Sequence, residues 1–296
     1  MKIQIAVLTY DREASLKRCI HSLEQAINHT DFSVKIVIGD NFPASIEEST
    51  YSKLATRLHI GLGSVAAGRQ FLLSNARQGG YDYLAFIDDD EVVGPCWLAR
   101  MVAVAESQAC AAVAGPVSPV DLPVAHLPLH NRKRHATGTV VASAGAGNLL
   151  LNLRVAKETN FDRGWALPGG EDTDFTLRLG ASEGQIVWCD EGEVFEPVRP
   201  DRLSRRWLLR RYFLNGRILY RAHAGVFTKK HFVSLPSRFA AMALSSFRLL
   251  FQPLSPVSFR FFLDHGVRNA GYVFEVAAQL TTQSVLRIRS LRFNGR

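Results

Sequence analysis

Apolar residues in the first third of the chain come as short continuous runs, separated by segments of helical period. Ile3-Gln4-Ile5-Ala6-Val7-Leu8 is rich in β-branched residues and stops at Thr9-Tyr10-Asp11-Arg12. From Ala14 to Ala26, Leu16, Cys19, Ile20 and Leu23, with Ile27 beyond, recur at three- and four-residue spacing and predict an amphipathic helix. Val34-Lys35-Ile36-Val37-Ile38 predicts a second strand, closed by Gly39-Asp40-Asn41, and Leu58-His59-Ile60 a weak third before Gly61-Leu62-Gly63. A helix from about Ser64 to Ala76 leads to the strand Tyr83-Leu84-Ala85-Phe86-Ile87, which runs into Asp88-Asp89-Asp90-Glu91. Strands this uniformly apolar, alternating with helices, predict a mostly parallel sheet covered on both faces. In such sheets ligands bind beyond the carboxyl ends of the strands, where Thr9, Asp11, Asp40 and Asp88 to Glu91 fall.

The pattern then loosens. Trp97–Glu106 predicts a helix and Ala111–Ala114 a strand, but residues 116–147 are dominated by Pro, His, Gly and basic residues and predict a long functional or mobile loop. Order resumes at Gly147-Asn148-Leu149-Leu150-Leu151. Gly169-Gly170-Glu171-Asp172-Thr173-Asp174-Phe175 opens a helix with acids in its first turn, where the helix dipole favours them. Short strands follow at Ile186–Cys189 and Val194-Phe195, and from Arg202 onward the pattern is helical and basic. This predicts an α/β domain over residues 1–200 and a basic, mainly helical region over 201–296.

Composition sharpens that division. At 47% hydrophobic and 21% charged residues the chain is globular, not disordered. Residues 1–198 hold 17 Lys and Arg against 24 Asp and Glu, a net of −7, whereas residues 199–296 hold 18 against 3, a net of +15. A basic tail on an acidic body points to a polyanionic partner, either nucleic acid or an anionic membrane surface. The four cysteines form no C-x-x-C pair and read as reduced, buried thiols. Neither a signal peptide nor a spanning helix is expected, because Arg248, Glu275, Pro253 and Pro256 interrupt the two most apolar stretches, 239–259 and 269–286. The expected location is therefore cytoplasmic.

Two motifs carry candidate chemistry. Four successive carboxylates at the end of an apolar strand repel one another, and a hard divalent cation held by one or two of them plus substrate phosphate oxygens would resolve that repulsion. A solvated turn is the plainer alternative. Gly169-Gly170-Glu171-Asp172 allows close approach to the backbone and could place a general base at a helix start, or could simply cap the helix.

Taken together, Leu8-Thr9-Tyr10-Asp11-Arg12, Ile38-Gly39-Asp40-Asn41, Gly61-Leu62-Gly63 with Gly68-Arg69, Phe86-Ile87-Asp88-Asp89-Asp90 and Gly169-Gly170-Glu171-Asp172 resemble the family 2 glycosyltransferases of the GT-A fold. The resemblance covers residues 1 to about 215. It is nearest to the bacterial members that build exopolysaccharide, succinoglycan glucosyltransferases among them. It implies a Rossmann-like GT-A domain and transfer, with inversion, from a nucleotide diphosphate sugar, first of all a UDP-sugar. Thr9 and Asp40 match positions that hold the nucleotide base. Arg69 matches the arginine of the family's Ala-Arg-Asn segment, although Gly68 and Gln70 flank it here. Asp88 matches the acid near the ribose, with Asp89 beside it in the donor site. Asp90 matches the acid that binds Mn²⁺ or Mg²⁺ bridging the diphosphate. Asp172 matches the catalytic base, and Glu171 the acid that helps position the acceptor. Where many members carry a metal-binding histidine, this chain has Glu196, a carboxylate ligand in its place or a sign of one protein ligand fewer.

In the basic region, Arg202, Arg205, Arg206, Arg210 and Arg211 alternate with Trp207, Leu208, Leu209, Tyr212 and Phe213. That mixture suits an interfacial helix on anionic lipid, at the inner face of the cell membrane, serving a lipid-linked oligosaccharide acceptor. A solvated arginine face over an ordinary core is the alternative, and no nucleic-acid motif accompanies the charge. Two other functions share the acidic sheet. A nucleotidyltransferase would carry a Gly-rich loop after the first strand, which Leu8–Glu13 lacks, and a non-catalytic sugar or lipid binder would not need Asp88, Asp90 and Asp172 intact.

Overall fold

A computed structural model describes residues 1–43, 49–224, 234–251 and 255–279. The chain divides into two compact units, one made of Met1–Leu122 with His130–Val198, the other of Pro123–Leu129 with the residues from Arg199 on.

The first unit is a mixed α/β layer structure. Its strands are Lys2–Thr9 (β1), Ser33–Asp40 (β2), Ser49–Thr50 (β3), Ala55–His59 (β4), Tyr83–Asp88 (β5), Val92–Val93 (β6), Ala112–Ala114 (β7), Val117–Val120 (β8), Val140–Val141 (β9), Asn148–Asn152 (β10), Ile186–Trp188 (β11) and Val194–Pro197 (β12). Its helices are Glu13–Ile27 (α1), Val65–Gln78 (α2), Trp97–Gln108 (α3) and Glu171–Ser182 (α5), while the short helix Leu127–His130 (α4) ends where the chain returns to this unit. The main sheet has nine strands in the order β3-β4-β2-β1-β5-β10-β7-β11-β9. The pairs β4–β2, β2–β1, β1–β5 and β7–β11 are parallel, and β10 runs antiparallel between β5 and β7. A three-stranded sheet, β6-β12-β8, stands beside it.

The period-two pattern explains how the sheet is covered. Ile3, Ile5 and Val7 of β1, with Ile36, Ile38, Ala85 and Ile87, pack against Leu16, Cys19, Ile20 and Leu23 of α1 and Trp97, Leu98 and Met101 of α3. The alternate residues Ala6, Val37, Leu84 and Phe86 pack on the other face, with Leu72 and Leu73 of α2 and Phe175 and Leu179 of α5. Burial on both faces is why these strands read as continuous apolar runs. Because β2 lies on one side of β1 and β5 on the other, the connections diverge at the carboxyl ends of β1 and β5, the topological switch point where such sheets bind ligands. The stretch 116–147, expected as loop, contains β8, a 3₁₀ turn at Val124–His126, α4 and β9.

The second unit is helical: Arg205–Ala224 (α6), Leu235–Phe251 (α7) and Pro256–Phe262 (α8), then a π-helical turn at Leu263–Val267 and a helix over 268–279. Leu129, Leu208, Tyr212 and Leu263 form one small core, and Tyr220, Tyr272 and Val276 another. Several arginines of the basic region turn inward. Glu275, with no exposed surface, accepts from Arg217 at 2.7 Å and Arg221 at 2.5 Å. Arg260 pairs with Asp264 and donates to the carbonyls of Pro128 and Leu129. Whether the helical pattern continues through 225–233 and 280–296 lies outside the described residues.

Candidate active site

At the end of β5 each member of the acidic run has a partner. Thr9, buried at the end of β1, donates its hydroxyl to Asp89 Oδ2 at 2.6 Å. Arg12, just before α1, reaches Asp89 Oδ1 at 3.0 Å and Asp90 Oδ2 at 3.2 Å. Asp88 accepts from Arg69 at 2.8 Å. Glu91 turns back inward, and its Oε2 accepts from the Asp88 amide at 3.0 Å, so it holds the turn shut. Burial pushes Glu91 well above the usual carboxylate range, and the charges of Asp88 and Glu196 add to that while the amide bond opposes it. Burial also raises Asp89, against the pull of Thr9 and Arg12. The Glu91 and Asp88 carboxylates come so close to Gly147 that a Cβ there would overlap Glu91 Oε1 and stand 3.1 Å from Asp88 Oδ2. Only glycine leaves that approach open.

The second half of the site begins α5. Gly169 and Gly170 take φ of +85° and +89°, in the left-handed region that favours glycine, and turn the chain so that Glu171 and Asp172 start the helix. Arg69, buried on α2, crosses to this corner. Its Nη1 donates to Glu171 and lies 3.9 Å from Asp172, while its Nη2 holds Asp88. Asp172 is fixed on its own account: Oδ1 accepts from the Thr173 amide at 2.7 Å and Oδ2 from the Ala146 amide at 3.2 Å. Burial pushes Glu171 up, opposed by Arg69 and helped by Asp172.

Two expected residues stand at the margins. Asp40, wholly buried at the end of β2, accepts from Arg57 Nε at 2.9 Å and Nη2 at 2.5 Å and from the Phe42 amide at 3.0 Å. Beside it, Asn41 accepts from the amides of Leu62 and Gly63 and so pins the Gly61–Ser64 turn. Glu196, on β12, pairs with Arg132 at 2.6 Å. Among the described residues no three His, Cys, Asp or Glu side chains gather as a metal cage. The donors at the turn are nevertheless all carboxylate oxygens, the chemistry that Mg²⁺ and Mn²⁺ prefer, and one or two of them suffice when substrate phosphates complete the shell. Asp90 fits that requirement.

The geometry thus sets the acidic strand end and the Glu171–Asp172 helix start on either side of one arginine at the switch point. Residues 4–145 match the family model for glycosyl transferase family 2. Over this stretch, just under half of its length, the chain is similar to the family 2 glycosyltransferases. The succinoglycan biosynthesis protein ExoM of Rhizobium meliloti (strain 1021) is 29% identical over 230 residues, covering 73% of this chain and 73% of that protein. Among solved structures, S. aureus TarS 1–349 in complex with UDP-GlcNAc has a TM-score of 0.51 at 14% identity, covering 94% of this chain and 92% of that one. GalNAc-T7 with UDP, GalNAc and Mn²⁺ has a TM-score of 0.54 at 14% identity, covering 95% of this chain and 57% of that one. These two likenesses show the glycosyltransferase GT-A architecture expected from the sequence.

Arg12, Glu91, Gly147 and the Ala146 amide also belong to this cluster, and no role was expected of them. Arg12 and Glu91 lay inside the motifs, but each acts on a neighbour that folding supplies. Ala146 and Gly147 close the stretch expected as loop, and only the Gly-Ala-Gly run could have marked them.

Proposed function

We propose that the chain transfers a sugar from a nucleotide diphosphate sugar to a lipid-linked saccharide, with inversion at the anomeric carbon, in exopolysaccharide synthesis. The observation that carries this reading is Arg69, one guanidinium shared by Asp88 at the donor end of β5 and by Glu171, with Asp172 3.9 Å away. Donor acid and base candidate are thereby held one side chain apart. The likeness to ExoM supports the polysaccharide setting. The UDP and UDP-GlcNAc of the TarS structures support a UDP-sugar donor.

In this reading Thr9 and Asp40 line the base pocket, and Asp88 and Asp89 the ribose side. Asp90, with Glu196 as a second candidate, would hold Mn²⁺ or Mg²⁺, which would neutralise charge gathering on the leaving diphosphate. Asp172 takes the proton from the acceptor hydroxyl as that oxygen bonds to the anomeric carbon. The bond to the diphosphate oxygen breaks on the opposite face, and its electron pair leaves with the nucleotide. Two amides already fix the Asp172 carboxylate, so the base needs little reorientation. Glu171 orients the acceptor. One displacement inverts the centre, and no covalent nucleophile is required.

The acceptor would bring the enzyme to the inner face of the cell membrane. No helix among the described residues is long and apolar enough to cross a membrane, so attachment would be peripheral. The test is a panel of nucleotide sugars with Mn²⁺ or Mg²⁺ and a lipid-linked acceptor extract, read by nucleoside diphosphate release and by the anomeric configuration of the product. Release with one donor and an inverted product are expected. Retained configuration, or nucleotide monophosphate as the product, would overturn the reading.

A further inference from the structure

We infer that the outward face of α7 is the element that inserts into an anionic lipid surface. The inference rests on the peripheral-membrane reading above and adds the anchor to it. Along α7, Phe239 is 53% exposed, Leu244 56% and Phe247 59%, and the exposed Ala240 and Ala243 lie between them. Positions 239, 240, 243, 244 and 247 share one arc of a helix. On another side Ser245 is wholly buried, and Arg238 packs 3.5 Å over the Tyr272 ring. The helix therefore folds with a settled inner side and keeps bulky apolar groups in water. Val257 of α8, 67% exposed, is a further such group.

Charge selects the occupant. From Arg202 to Leu263 the sequence has twelve Lys and Arg and not one Asp or Glu; Asp264 and Glu275, beyond that stretch, pair with Arg260, Arg217 and Arg221, which leaves nine others. Arg248, exposed at the edge of the apolar arc, stacks 4.6 Å over Phe261, so a cation borders the apolar side chains. A second copy of this face would bring the same positive surroundings against itself and be repelled. An anionic bilayer offers apolar depth and negative headgroups together, the pairing that amphipathic interfacial helices use. With 17 residues and an arginine near its end, α7 would lie in the interface and not cross it.

Adsorption by charge alone and insertion of this face differ in what they resist. Charge attraction weakens as salt shortens the screening length, whereas buried apolar area does not. A half-exposed apolar side chain has about half of its burial free energy still to gain, roughly tenfold in partitioning for each residue.

The experiment uses the full chain and its F239S/L244S variant, floated with phosphatidylglycerol–phosphatidylcholine vesicles at low and high salt. Donor hydrolysis and the far-ultraviolet spectrum check that the variant is folded. The wild type should float and keep a measurable bound fraction at high salt, and the variant should bind about a hundredfold more weakly. Equal flotation of both proteins would overturn insertion while leaving peripheral adsorption standing. A wild type that stays at the bottom of the gradient with every vesicle preparation, even at low salt, would overturn the peripheral reading itself. A wild type that is dimeric without vesicles, and monomeric once Phe239 and Leu244 are replaced, would assign the face to a second copy and overturn the lipid assignment.

Discussion

Replacing Arg69 by Met keeps most of the side-chain stem and removes the guanidinium shared by Asp88, Glu171 and Asp172. The two hydrogen-bonded acids do not contribute equally. The Glu171 side chain is 4% exposed and that of Asp88 43%, so the loss at Glu171 dominates. Removing one partner of a buried ion pair costs about 3–5 kcal/mol. The Asp88 pair, open to water, adds at most about 1 kcal/mol. For a unit near 200 residues this lowers the melting temperature by roughly 10 °C. Burial and Asp172 already raise Glu171, and without Arg69 they act unopposed. A carboxyl whose folded pKa lies above its unfolded value favours the fold fully below the unfolded value, and that contribution is lost as pH rises through the folded one. The deficit of R69M relative to wild type should therefore shrink between about pH 8 and about pH 5, where Glu171 can protonate. Urea unfolding at both pH values measures this. R69K should recover only part of the loss, because one ammonium cannot fork to both acids. An R69M deficit that stays constant with pH would mean that Arg69 acts by packing, and would refute the charge-bridge argument.

Three further outcomes follow from the site. Asp172→Asn keeps the hydrogen-bonding shape but cannot take a proton, so transfer should fall by about 10²–10⁴ while donor affinity, measured by calorimetry, stays near wild type. Asp90→Ala should abolish the dependence of nucleotide binding on Mn²⁺ or Mg²⁺, read by titration with and without chelator, and leave the unfolding midpoint nearly unchanged. Gly147→Ala drives a methyl into Glu91 and toward Asp88; it should cost about 1–3 kcal/mol in urea unfolding and weaken donor binding, and an unperturbed variant would show that the turn yields freely.

The parts of the fold legible in the sequence are those whose burial is uniform. β1, β2 and β5 are covered on both faces, so composition alone reveals them. β4 is half-exposed along most of its length and left a weak signal, and β6 and β9, of two residues each, are too short to have a period. β8 was hidden by Pro119, which an edge strand tolerates. In the site, the acids were visible because runs of like charge are rare, but their partners were not. Nothing in the pattern links Thr9 to Asp89, or Arg69 to Glu171 across 102 positions. Glu275 read only as a break in an apolar stretch, whereas folding makes it the counter-ion of Arg217 and Arg221.

The seven residues Pro123–Leu129 belong with the helices although they are encoded inside the sheet unit, so the backbone passes between the two units three times. Leu129 shares a small core with Leu208, Tyr212 and Leu263, and Arg260 and Tyr212 donate to its carbonyl. Recombination at a single junction near residue 199 would separate this strap from the side chains that hold it. A hybrid gene taking its sheet from one parent and its helices from another would pair a foreign strap with unfamiliar helices. Such exchanges should survive only when 123–129 travels with the tail, so the two units are expected to have diverged as one inherited block.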